Sequence, residues 1–149
     1  MNKYKKDILS NIIPLYTVPI KGSKTATALI IFKTGSRYEN KQNNGISHFL
    51  EHLFFKGTKN RPNTLALSSE LDSLGSEYNA FTSKEYTGYW VKVAANKLIP
   101  ALEIISDMLL NSLFSQEEIE REKGVIIEEL NMYEDNPLMH IEDVLEACL

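Results

Sequence analysis

Residues 48–52 read His48-Phe49-Leu50-Glu51-His52, and this run constrains the local backbone more than any other. A helix advances about 100° per residue, so His52 falls about 40° from His48 around the axis, one turn further on. Both imidazoles then reach one metal ion. Glu51 lies about 60° to the other side of His48, on the same broad face. Its carboxylate can reach a water on that ion without being a ligand. Ile46, Phe49, Leu50, Leu53 and Phe54 recur at core-facing helical spacing. The segment is therefore predicted to be a helix that starts at Gly45 and is ended by Gly57.

The order H-x-x-E-H is the reverse of H-E-x-x-H, in which two histidines hold zinc and a glutamate acts as base. Histidine pairs at this spacing also occur on solvated helices, and the apolar surroundings set this one apart. A catalytic zinc site needs a third protein ligand and an open fourth position. The candidates lie far along the chain. Ser115-Gln116-Glu117-Glu118 is a capping-box sequence that opens a helix through about Asn131. Glu117, Glu118 and Glu120 read as a solvated acidic face. Val125-Ile126-Ile127 make the middle of this helix apolar and predict that its flanking residues are partly buried. Glu122 and Glu129 are two turns apart and share a face, whereas Glu128 points about 100° away from Glu129.

The remaining elements alternate in kind. Ile12–Val18, interrupted by Pro14, reads as an edge strand at best. Thr25–Phe32 reads as a strand buried on both faces at its end. Thr64 is placed to cap a helix stopped at Gly75. Glu77–Thr82 and Thr87–Val93 alternate like two strands joined by a short loop, which predicts an antiparallel pair. Lys97–Leu113 is an amphipathic helix with Pro100 in its first turn. Asp135-Asn136-Pro137 breaks the acidic helix before a last one, Pro137–Leu149, whose Ile141, Val144 and Leu145 are expected to form an exposed apolar face. Strands and helices mix without a βαβ rhythm, so the fold class is α+β, an antiparallel sheet packed with helices.

Composition narrows the function. The net charge of −4 supplies no basic patch for nucleic acid. No apolar run approaches the roughly 18 residues of a membrane span. The basic start at Met1–Lys6 is followed by no adequate apolar core for a signal peptide. The single cysteine, Cys148, excludes an internal disulfide framework and fits a reducing compartment, so the expected localisation is cytoplasmic.

Gly45-Ile46-Ser47-His48-Phe49-Leu50-Glu51-His52, with Phe55-Lys56-Gly57-Thr58, resembles the pitrilysin/insulinase family of zinc peptidases, the inverzincins, and within it the processing-peptidase β subunits and their bacterial relatives. Gly35-Ser36-Arg37, Leu74-Gly75-Ser76, Asn79-Ala80-Phe81-Thr82-Ser83, Glu120-Arg121-Glu122, Val125–Glu129 and Asp135-Asn136-Pro137 extend the likeness through nearly the whole chain. The resemblance implies that His48, His52 and Glu129 hold one zinc ion, with Glu128 as the alternative ligand. It implies Glu51 as general base and Glu122 as an assisting glutamate behind the ligands. It implies that Asn79, Ala80 and Phe81 lie on a strand that holds a peptide or unfolded protein substrate.

The family fold is two similar α+β halves closing around the substrate. Residues 1–149 are expected to form part of the first half, an incomplete N-terminal peptidase domain. The missing half would come from the same protein or a partner subunit, and the full-length protein is expected to be a dimer. The expected activity is zinc-dependent endopeptidase, with little activity in these residues alone. The alternatives are a non-catalytic partner subunit, whose family examples have lost parts of the motif, and a module holding zinc only for stability.

Overall fold

The computed structural model describes residues 3–148. Met1, Asn2 and Leu149, and with them the very ends of the expected basic start and terminal helix, lie outside the described residues. The chain runs β1 (Lys5–Ile8), β2 (Pro14–Thr17), β3 (Thr25–Phe32), α1 (Ile46–Leu53) and α2 (Thr64–Ser73). It continues with β4 (Glu77–Thr82), β5 (Thr87–Ala94), α3 (Leu98–Leu110), α4 (Gln116–Glu134) and α5 (Pro137–Ala147). Among the described residues, no helix is long and apolar enough to cross a membrane.

The main sheet has the order β3-β5-β4, antiparallel throughout. Thr82 pairs with Thr87 at the turn between β4 and β5, and Ser83 N–H closes that turn on the Tyr86 carbonyl at 2.9 Å. β5 is central because β3 joins its other edge over eight residue pairs. Its alternation is the signature of a strand with one face on a core: Tyr89, Val91 and Val93 are buried. Against them pack Leu67 and Leu71 of α2, Ala80 of β4, and Ala101, Ile104, Ile105 and Met108 of α3. β1 and β2 form a separate two-stranded hairpin, a pairing the sequence did not announce because β1 is the polar run Lys-Lys-Asp-Ile.

Several expectations are corrected. The end of β3 is not buried on both faces; Leu29 is 50% and Ile31 58% exposed. β3 is an edge strand whose second face has no cover among the described residues, so its apolar run does not mark a doubly buried position. Asn63, not Thr64, caps α2, because its side-chain oxygen accepts the Ala66 N–H at 2.9 Å. α1 ends at Leu53 rather than reaching Gly57, and the chain tightens there through Phe55 N–H to His52 O and Lys56 N–H to Leu53 O. α4 runs on to Glu134, and Val125 and Ile127 on it are exposed. The apolar character of that stretch therefore does not by itself bury its neighbours.

Both ends of α1 are pinned. At the N-terminus, Glu39 accepts N–H bonds from Gly45 (2.6 Å) and Ser47 (2.8 Å), supplying from a loop the carboxylate that a helix start favours. Burial pushes the Glu39 carboxyl up, but the bonds from Ser47 and Gly45 outweigh it and hold the group below its usual range. Beyond the C-terminus, Gly57 has φ +133, and a Cβ there would stand 2.8 Å from the Pro62 carbonyl. This lets Thr58, fully buried, reach Asp107 of α3. Asp107 accepts from Thr58, Asn60 (3.0 Å), Arg61 (2.7 Å) and Asn111 (2.9 Å). Arg61 also grips Glu70 of α2 with two nitrogens at 2.6 and 2.7 Å. The knot ties the segment after α1 to α2 and α3.

Candidate metal centre

α1 and α4 lie against each other and carry the four residues that meet at the centre, His48 and His52 from α1 and Glu122 and Glu129 from α4. His48 Nε2 and His52 Nε2 stand 3.1 Å apart with their rings perpendicular. Glu129 Oε2 lies 3.7 Å from the first and 3.5 Å from the second. Glu122 Oε1 lies 2.9 Å from His52 Nδ1. A carboxylate there accepts a proton, so Nδ1 is the protonated nitrogen and His52 Nε2 is left with a bare lone pair. That lone pair faces the other histidine's Nε2 and a carboxylate oxygen, an arrangement without enough donors and suited to a shared cation.

The spacing agrees. Tetrahedral bonds of about 2.0–2.1 Å would set the donor atoms roughly 3.3 Å apart. The three observed separations bracket that value. The residues present fit zinc.

Glu122 is 2% exposed and is the buried residue of α4. Its other oxygen forms an ion pair with Lys56 Nζ at 2.6 Å rather than an aligned hydrogen bond. Burial pushes the Glu122 carboxyl up, yet Lys56 and His52 together hold it below the usual carboxylate range. The group stays charged behind the ligand. The side chains of His48, His52 and Glu129 remain partly open, at 34%, 22% and 30%, so the centre faces solvent on one side.

Glu51 is not among the converging donors. Its Oε2 accepts the Thr82 hydroxyl at 2.5 Å. With His52, Phe55, Lys56, Asn79 and Glu122 it lines a cleft of about 210 Å³. Of the strand residues singled out above, Asn79 is exposed and lines this cleft, and its side-chain oxygen accepts the Ala80 N–H at 2.9 Å. Ala80 turns its methyl into the core. Phe81 packs across the strands over Gly88, where a Cβ would lie 2.2 Å from the ring.

Glu128, the alternative ligand, is exposed and lines a different, wider cleft of about 550 Å³ at the α4–α5 junction with Asn131, Met132 and Asp135. The fold brings Glu129 to the histidines instead. Sequence reasoning gave no role to Thr82 or Lys56, although both fall in runs that carry the resemblance, nor to Glu39. Thr82 could have been found from its two-residue spacing to core-facing Ala80, and Lys56 from lying one turn after His52.

An α+β domain that converges two imidazoles and a carboxylate, with another carboxylate held just outside them, has the make-up of a metal-dependent hydrolase domain. The family model for insulinase, peptidase family M16, matches residues 17–149, and the chain belongs to that family. It is 46% identical over 115 residues to the zinc protease YmxG of Bacillus subtilis, covering 77% of this chain and 28% of that protein. It is 44% identical over 126 residues to the human mitochondrial-processing peptidase subunit beta, covering 85% of this chain and 26% of that protein. The crystal structure of a protease from Helicobacter pylori superposes with a TM-score of 0.86 at 28% identity, over 93% of this chain and 33% of that one. The chain thus spans about a quarter to a third of the length of these relatives. The fold is that family's α+β arrangement, and peptidase is the function at family level.

Proposed function

We propose that this chain carries the catalytic portion of a zinc endopeptidase acting on extended or unfolded peptides. The observation that carries the reading is the separation of roles at the centre. Three donor atoms converge at 3.1–3.7 Å, while Glu51 is drawn aside by Thr82 into the adjoining cleft.

A zinc ion held by His48, His52 and Glu129 would polarise a water and the scissile carbonyl. Glu51 Oε1, the oxygen that Thr82 leaves free, takes the proton of the attacking water and delivers it to the leaving amide nitrogen. Glu122 and Lys56 fix the tautomer of His52. β4 pairs with β5 alone among the described residues, so its other edge is available to an extended peptide along Asn79, Ala80 and Phe81. Pairing of that kind reads backbone and suits unfolded substrates. The rest of the cleft would come from a second half, in the same protein or a partner subunit of a dimer, so residues 1–149 alone would turn over little. The single cysteine supports a reducing compartment such as the cytoplasm.

The test is zinc analysis and peptide cleavage with the full-length gene product. The wild type should hold one zinc per chain and cleave unstructured peptides. Glu51→Gln should keep the zinc and lose about 10²–10⁴ in rate, because the amide is nearly isosteric but takes no proton. Substantial turnover by that variant would remove Glu51 as the base.

A further inference from the structure

Thr82 is the last residue of β4 and falls in the Asn79-Ala80-Phe81-Thr82-Ser83 run, whose assigned substrate residues stop at Phe81. Side chains alternate across a strand, so Thr82 shares the helix-facing side with Tyr78 and Ala80, both in or against the core. This aims its hydroxyl at α1, 31 residues earlier in sequence, where it donates to Glu51 Oε2. Its place is set by register. Thr82 pairs with Thr87, whose own hydroxyl is anchored on the Thr34 carbonyl at 3.1 Å. Phe81 over Gly88 locks the neighbouring pair. A slip of one residue would turn Thr82 to the opposite face.

We infer that Thr82 is a positioning residue for Glu51, holding one carboxylate oxygen so that the other is presented for proton transfer. This rests on the peptidase reading above. A glutamate has three rotatable side-chain bonds, and a base has to stand within hydrogen-bond reach of the proton it takes. The Thr82 hydroxyl fixes the carboxylate without occupying both oxygens. Because β4 also carries the edge proposed to hold substrate, the base and the bound peptide would be referenced to one strand. A shift of β4 would move both together.

The test uses the full-length zinc-bound protein with Thr82→Val, which keeps the shape and removes the donor, and Thr82→Ser, which keeps the donor. Val should lower kcat about tenfold, as loss of one charge-assisted hydrogen bond implies, with KM within about twofold. Zinc content should stay at one per chain. Ser should restore kcat to within about twofold of wild type. A crystal structure of Thr82→Val should show the Glu51 carboxylate spread over more than one rotamer, a readout independent of turnover.

Wild-type kcat in Thr82→Val, equal impairment of Val and Ser, or an unmoved single Glu51 rotamer in Val would each overturn the role of Thr82 while leaving the peptidase reading intact. A wild-type protein without zinc-dependent turnover would overturn the peptidase reading and this inference with it.

Discussion

Replacing Glu129 by glutamine tests the metal centre most directly, because its neighbour Glu128 is a built-in control. Glu129 Oε2 is the carboxylate oxygen 3.5–3.7 Å from both Nε2 atoms, while Glu128 lies around the helix on the other cleft. Loss of a residue that merely supports a ligand costs about 10–100-fold in metal affinity, so loss of a ligand should cost at least about 100-fold. At a free zinc concentration of about 100 Kd, binding stabilises the fold by about 2.7 kcal/mol. For a chain of this size that is a rise in Tm of roughly 5–11 °C. If Kd rises about 100-fold in Glu129→Gln, the same zinc concentration sits near the new Kd and contributes only about 0.4 kcal/mol, roughly 1 °C. Glu128→Gln should keep the full shift. The measurement is a thermal melt of each variant with and without zinc, alongside a chelator competition for Kd. Loss of the shift in Glu128→Gln with its retention in Glu129→Gln would refute the assignment and move the third ligand by one residue.

Two further outcomes follow from the surrounding network. Glu122→Gln should weaken zinc binding about 10–100-fold by chelator competition while leaving three ligands in place, because its carboxylate sets the His52 tautomer; unchanged affinity would make the contact incidental. Asp107→Ala removes the acceptor shared by Thr58, Asn60, Arg61 and Asn111, while Arg61 keeps its bonds to Glu70, and should cost about 1–3 kcal/mol in denaturant unfolding. Burial pushes the Asp107 carboxyl up, but bonds from Thr58, Asn111 and Arg61 prevail and hold it below its usual value. Its folded pKa is thus depressed. Its stabilisation is present above the unfolded value of about 3.9 and is lost as pH falls through the folded one, so the wild-type advantage over Asp107→Ala should shrink in that acid range.

Much of this chain was legible locally. The H-x-x-E-H spacing dictated a helix, because only that period stacks His48 over His52. The alternation in Glu77–Thr82 and Thr87–Val93 gave a hairpin that appears as β4 and β5. Ser115 caps α4 as its sequence suggested, accepting the Glu118 N–H. The two-turn spacing placed Glu122 and Glu129 on one face, and the fold points both at α1.

Other features depend on partners distant in sequence. Val125 and Ile127 read as apolar but are exposed, and the end of β3 lacks a second layer, because burial is a property of neighbouring elements. The choice of Glu129 over Glu128 depends on how α4 is rotated against α1. Lys56 behind Glu122 and Thr82 on Glu51 each involve groups brought together by packing, whereas Glu39 reaches the N-terminus of α1 from six residues away through the path of the connecting loop. Sequence period fixes where a side chain lies on its own helix or strand, while the partner it meets across 31 or 70 residues is decided only when sheet register and helix packing set the distance between elements.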